Sequence, residues 1–113
     1  MITGAHTVIY SRDAEADRAF LRDVAGLPSV DAGRGWLIFG LGPGEAAFHP
    51  AEEGGAQELY LMCDDIGATM AELADRGAEF SRDVSDQGWG LVTALKLPGG
   101  GEVNLYEPRH PTP

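Results

Sequence analysis

At 113 residues the chain has room for one domain around one core, and its 43% hydrophobic and 23% charged residues are the balance of a folded globular protein. With 18 acidic against 8 basic side chains the net charge is −10. That surface repels phosphate backbones and anionic lipid, which argues against nucleic-acid and membrane-surface roles; it serves solubility alone or favours the approach of a cationic small molecule.

In chain order, the first predicted element is a strand from Ala5 to Tyr10, where β-branched and aromatic residues dominate. Asp13 then reads as the N-cap of a helix running to Ala25, with an apolar stripe of Ala16, Phe20 and Val24 thickened by Leu21 and a C-terminal Gly26. Short strands follow near Pro28–Ala32, Trp36–Phe39 and Glu45–His49, separated by Gly33-Arg34-Gly35 and Gly42-Pro43-Gly44. An acidic, Gly-rich linker over 51–56 leads to a second strand-rich half that opens at Glu58-Leu59-Tyr60-Leu61-Met62-Cys63. Asp65 caps a helix whose stripe is Ile66, Met70 and Leu73 and which ends at Gly77. Strands are predicted near Glu79–Val84, Leu91–Leu97 and Glu102–Tyr106, and the Pro-rich residues 109–113 read as a loosely attached tail carrying His110.

Laying His6 on Glu58 brings Asp13 onto Asp65 and Leu21 onto Leu73, and a slightly larger offset brings Trp36 onto Trp89 and Gly42-Pro43-Gly44-Glu45 onto Gly99-Gly100-Gly101-Glu102. Caps, tryptophans and turns recur in one order, an internal repeat of roughly 50 residues. The reading is α+β: two tandem βαβββ modules, 4–50 and 57–108, in a single domain. A ferredoxin-like βαββαβ fold has two strands too few for the segments found.

Four segments stand out in order: Gly4-Ala5-His6-Thr7-Val8-Ile9-Tyr10-Ser11-Arg12-Asp13 at the opening strand and Phe20-Leu21-Arg22-Asp23-Val24-Ala25-Gly26-Leu27 at the first helix. Asp64-Asp65-Ile66 with Leu73-Ala74-Asp75-Arg76-Gly77-Ala78 marks the second helix, and Gly101-Glu102-Val103-Asn104-Leu105-Tyr106-Glu107-Pro108 the closing strand. Together they resemble the vicinal-oxygen-chelate superfamily of glyoxalases, bleomycin-resistance proteins and extradiol dioxygenases. The resemblance implies a curled, cup-shaped mixed sheet with helices on its outer face, a site inside the cup, and a homodimer. It does not decide activity, because that fold hosts isomerases, dioxygenases and non-catalytic drug-binding proteins.

Family enzymes hold a divalent metal with side chains from the first and last strand of each module. The matching positions here are His6, Ala47, Glu58 and Asn104. Alanine cannot ligate, an amide oxygen is a weak ligand, and one histidine is too few for a facial-triad iron site. The expectation is therefore no metal or other cofactor, with His6 and Glu58 the only ligands should a divalent metal bind. Another register for Glu45 or Gln57 would change that count.

Without a metal, His6 and Glu58 form a candidate acid–base pair or a plain structural hydrogen bond. Trp36 and Trp89 read as walls for a flat ligand or as ordinary core. Tyr60 and Tyr106 share strand faces with Glu58 and Asn104, since strand side chains repeat every two residues. The predicted ligand-binding set is thus His6, Trp36, Glu58, Tyr60, Trp89, Asn104 and Tyr106. His49, beside the linker, reads as exposed. Cys63 reads as a small buried hydrophobe, and as the single cysteine it has no disulfide partner within the chain. No signal-peptide pattern opens the sequence and no apolar run nears the roughly 20 residues of a membrane span, so the expected location is the cytoplasm.

Three functions remain open: a metal-free binder of a small organic molecule, a metal-dependent lyase, isomerase or dioxygenase, and a dimeric scaffold with a vestigial cup.

Overall fold

The structure, a computed structural model, describes residues 1–24, 27–96 and 101–113. The side chains of Phe20 and Val24, together with Ala25, Gly26, Leu97 and Gly99-Gly100, on which parts of the sequence reading rest, lie outside that description. The chain divides into two compact units, Ala5–Leu59 with His110–Pro113 and Tyr60–Arg109 with Met1–Gly4. The elements are β1 (Ile2–Ser11), α1 (Ala14–Ala19) continued by a π-helical turn (Phe20–Val24), β2 (Ser29–Asp31), β3 (Leu37–Gly40) and β4 (Gly44–Pro50). The second set is β5 (Gln57–Cys63), α2 (Ile66–Asp75), β6 (Ser85–Asp86), β7 (Gly90–Lys96) and β8 (Glu102–Pro108). This is the α+β order of two tandem βαβββ modules.

Both modules use one topology. The first runs β2-β3-β4-β1 and the second β5-β8-β7-β6. In each, the opening and closing strands pair in parallel (β1 with β4, β5 with β8) and the remaining ladders are antiparallel. A parallel pair needs a crossover connection, and the helix supplies it.

One face of each four-stranded sheet carries its helix. In the first unit Ile9, Leu37, Phe39 and Phe48 meet Ala14, Leu21 and Leu27. In the second, Leu61, Cys63, Leu91 and Leu105 meet Ile66, Met70 and Phe80. Burying one such Phe or Leu contributes about 1.5–3 kcal/mol. The opposite faces are also withdrawn from solvent: His6, Val8, Glu45 and Ala47 in one unit, Val92, Ala94 and Tyr106 in the other.

The helix caps follow the sequence. Asp13 Oδ1 accepts the Ala16 N–H at 3.0 Å and Asp65 Oδ1 accepts the Ala68 N–H at 3.0 Å. At the end of α2 the Gly77 N–H bonds Ala74 O and the Ala78 N–H bonds Leu73 O, a Schellman closure that needs the positive φ of Gly77 (94°).

Two expectations fail. Ala16 is exposed and Ala14 is the buried alanine. A stripe stepping by four rotates about 40° per step around a 3.6-residue turn, and here Leu21 reaches the core. The strand expected over Glu79–Val84 is reduced to a single bridge between Phe80 and Leu95, with β6 following at Ser85–Asp86. Every residue from Ser81 to Gln87 is exposed, so no apolar alternation holds that segment against the sheet.

Candidate functional site

On β1, residues 6, 8 and 10 share the face away from α1, as do 45, 47 and 49 on β4. The parallel ladder sets His6 opposite Glu45, Val8 opposite Ala47 and Tyr10 opposite His49. His6 Nδ1 lies 2.6 Å from Glu45 Oε2, both side chains being buried. Position 47 is occupied by a fully buried alanine, as expected, but one ladder pair earlier on the same face the chain places a carboxylate. His6 thus hydrogen-bonds Glu45, and Glu58 accepts a hydrogen bond from the Tyr10 hydroxyl.

The tail corrects a second expectation. His110–Pro113 is part of the first unit, and the His110 side chain is only 2% exposed. Its Nε2 lies 3.6 Å from the same Glu45 oxygen, and its Nδ1 lies 2.9 Å from Pro111 O. A carbonyl only accepts, so Nδ1 carries a hydrogen. Nε2 then attracts the Glu45 carboxylate only when the imidazole is protonated. The tail is anchored closely: a Cβ on Gly40 would stand 3.3 Å from Pro113 O and 3.4 Å from Pro28 Cγ. Proline richness signalled a loose end because it forbids regular structure, but it does not forbid docking.

Further along these strands is a ring cluster. Tyr10 and His49 have centroids 4.9 Å apart, and Trp36 stands edge-on to His49 at 5.5 Å. The Arg18 guanidinium lies 5.1 Å from the Trp36 centroid, within cation–π range.

In the second unit β5 and β8 align Tyr60 with Asn104 and Met62 with Tyr106. Tyr60, Trp89 and Tyr106 form a closed edge-on triangle with centroid separations of 5.9, 5.6 and 5.4 Å. Tyr106 is fully buried. The Trp89–Tyr106 contact repeats the Trp36–His49 contact, the partners being repeat equivalents. Asn104 Oδ1 accepts a hydrogen bond from Arg82 at 2.6 Å. Cys63 is buried, its Sγ donating weakly to Tyr106 O at 3.5 Å, and burial pushes its thiol above the usual range.

The divalent metal that the fold implies would need at least three N, S or carboxylate ligands in a catalytic site. Among the described residues no group of three or more His, Cys, Asp or Glu side chains is disposed to hold a metal ion. The Asn104 oxygen is taken by a guanidinium, whose charge opposes a cation.

Sequence reasoning missed Glu45 as a hydrogen-bond partner of His6 and His110 as a neighbour of Glu45. The repeat of Gly42-Pro43-Gly44-Glu45 in Gly99-Gly100-Gly101-Glu102 was the available signal for Glu45, since it puts a glutamate at the start of each closing strand. No comparable pattern pointed to His110.

No protein-family model matches the sequence, and no curated protein matches it. Solved structures do. Methylmalonyl-CoA epimerase from Mycobacterium tuberculosis superposes with a TM-score of 0.69 at 16% identity, over 95% of this chain and 89% of that one. A glyoxalase/bleomycin resistance protein/dioxygenase superfamily member from Vibrio splendidus 12B01 gives 0.57 at 13% identity, over 91% and 97%. A methylmalonyl-CoA epimerase in complex with methylmalonyl-CoA and NH4+ gives 0.55 at 18% identity, over 96% of both chains. At these identities the likeness concerns architecture, and on it, together with the two βαβββ modules, the chain has the vicinal-oxygen-chelate fold.

Proposed function

We propose that the chain binds a small organic molecule without a metal, through His6 and Glu45 of the first unit. The observation that carries this is the buried His6–Glu45 pair, a polar feature on a face otherwise filled by Val8 and Ala47. Few, fixed polar groups in apolar surroundings are what orient a small ligand. Glu58 with Tyr10 and the Trp36 ring extend the candidate set in the first unit. Tyr60, Trp89 and Tyr106, with Asn104, are the second unit's candidates, offering ring edges and faces to an aromatic group. A carboxylate in the set and the net charge of −10 favour a neutral or cationic ligand. The epimerase solved with methylmalonyl-CoA supports small-molecule binding by this fold.

The test is a thermal-shift screen of aromatic and cationic metabolites and antibiotics, repeated with a chelator and on His6→Asn and Trp89→Ala. A ligand at 100 times its dissociation constant adds about 2.7 kcal/mol of stability. The reading expects hits that survive the chelator and weaken in His6→Asn. A hit that stabilises wild type and both variants equally, or that vanishes with the chelator, sinks it. A near-stoichiometric metal in elemental analysis would revive the metal-dependent lyase, isomerase or dioxygenase.

The same pair favours a second reading. A histidine oriented by a buried carboxylate is the arrangement of a general base, so some hits would be converted as well as bound. Mass spectrometry of each hit after incubation, with Glu45→Gln as the control, separates turnover from binding. We also propose a homodimer in the cytoplasm. Sedimentation equilibrium at micromolar concentration should give twice the 12.0 kDa chain mass, and a clean monomer mass would remove the dimer.

A further inference from the structure

A cleft between α1 and the β2–β3 turn, on the helix side of the first unit, is lined by none of the binding residues proposed above. It encloses about 480 Å3, and Arg18, Arg22 and Arg34 line it, three of the 8 basic side chains of a strongly acidic protein.

The charges there are unequally matched. Arg22 is forked onto Asp23 at 2.8 and 2.9 Å. Asp31, also lining the cleft, spends its carboxylate oxygens on the Gly33 and Gly35 N–H groups at 2.7 and 3.2 Å. Glu15 is the other acid in the lining. Arg18 donates to the Phe48 carbonyl at 2.8 Å and lies against Trp36, neither of which neutralises it, and its Nε is buried with no hydrogen-bond partner. Among the described residues neither Arg18 nor Arg34 has a carboxylate within ion-pair distance.

Arg34 also stands in a costly conformation. Its φ is +54°, in the left-handed region, between Gly33 and Gly35, which are positive as well. A glycine would hold that turn without strain, so the turn maintains a guanidinium where a side chain is unfavourable.

We propose that this cleft binds the oxyanion group, carboxylate or phosphate, of a small organic molecule. Arg34 and Arg18 supply guanidinium groups held in no ion pair, Arg22 a further guanidinium edge, and Leu37 with Ala19 the apolar surface for the carbon skeleton. The acidity of the remaining protein works against indiscriminate anion binding, so uptake of an anion requires a local cluster such as this.

Isothermal titration of the full chain at low salt tests it with phenyl phosphate, benzoate, inorganic phosphate and phenol. The expected order is phenyl phosphate or benzoate tightest, inorganic phosphate several-fold weaker, and phenol without binding. Whichever of phenyl phosphate and benzoate binds better identifies the oxyanion. Arg34→Gly should weaken the best probe at least tenfold while leaving the melting temperature of the unliganded protein unchanged or raised, and Arg22→Ala should weaken it less. Absence of binding by both organic anions, or undiminished affinity in Arg34→Gly, overturns the proposal. Equal affinity for inorganic phosphate and the organic anions would overturn its organic half.

Discussion

Take the ladder step at which Val8 faces Ala47 in the first unit. Its counterpart in the second is Tyr60 facing Asn104. One step towards the strand starts, the first unit buries a histidine against a glutamate. One step the other way, the second buries Tyr106 where the first has the exposed His49. Strand order, parallel closing pair, aspartate caps and an edge-on tryptophan contact are common to both units. The difference teaches that capping, turn chemistry and helix-facing apolar positions specify the module, while the face turned away from the helix is free to become charged in one copy and aromatic in the other.

The two faces turned away from the helices should therefore fail differently. The largest effect is expected from Glu45→Ala, which leaves two buried imidazoles without their carboxylate. Leaving a buried group without its hydrogen-bond partner costs about 1–3 kcal/mol, more where the group is charged, read here from urea unfolding. A loss below about 1 kcal/mol, the scale of an exposed pair, would mean that the cluster is hydrated and the contrast overstated. Glu45→Gln, which keeps a hydrogen-bond acceptor for His6, should recover part of the loss.

The aromatic face should instead be sensitive to volume. A Cβ at Gly90 would fall 2.8 Å from Tyr106 Cδ2 and 2.9 Å from Glu107 O, the latter a backbone atom that cannot swing aside. Gly90→Ala is expected to cost about 1–3 kcal/mol through overpacking. The change should also alter the near-ultraviolet circular dichroism of the Tyr60–Trp89–Tyr106 group. An unchanged spectrum would show that the triangle is not tightly packed.

The smallest effects test what the units share. Asp13→Ala and Asp65→Ala each remove one equivalent cap and should each cost about 1 kcal/mol. The double variant should be additive within about 0.5 kcal/mol, as for distant sites. Very unequal costs would show that the caps, alike in geometry, are not alike in energy.

These distinctions also mark what could be read from sequence. The order of elements, the duplicated caps and the alternation of strand faces all come from local chemistry, and local patterns report them. Glu45 depends on pairing register between strands far apart in sequence, where the right face was readable but the position along it slipped by one ladder pair. His110 depends on where a chain end docks, which no periodicity encodes. In the segment 79–84 Phe80 alone is bridged to β7, and a run exposed from Ser81 onward carries no alternation that local patterns could read. His6, Trp36, Tyr60, Trp89 and Tyr106 were singled out as residue types suited to a ligand, and the structure places each in a ring or hydrogen-bond cluster with neighbours of its own unit.

The withdrawn thiol of Cys63 gives the second unit a built-in clock. A thiol reagent attacks the thiolate, and burial both screens the sulfur and keeps its proton on. Modification therefore has to wait for β5 and α2 to part, and its rate counts those openings. When reclosing outpaces the chemistry, the labelling rate divided by that of an unfolded chain is the equilibrium fraction of open molecules. As the only cysteine in the chain, it makes this measurement without any engineered label. A bound ligand that steadies the second unit would slow the clock, even where it comes nowhere near the sulfur.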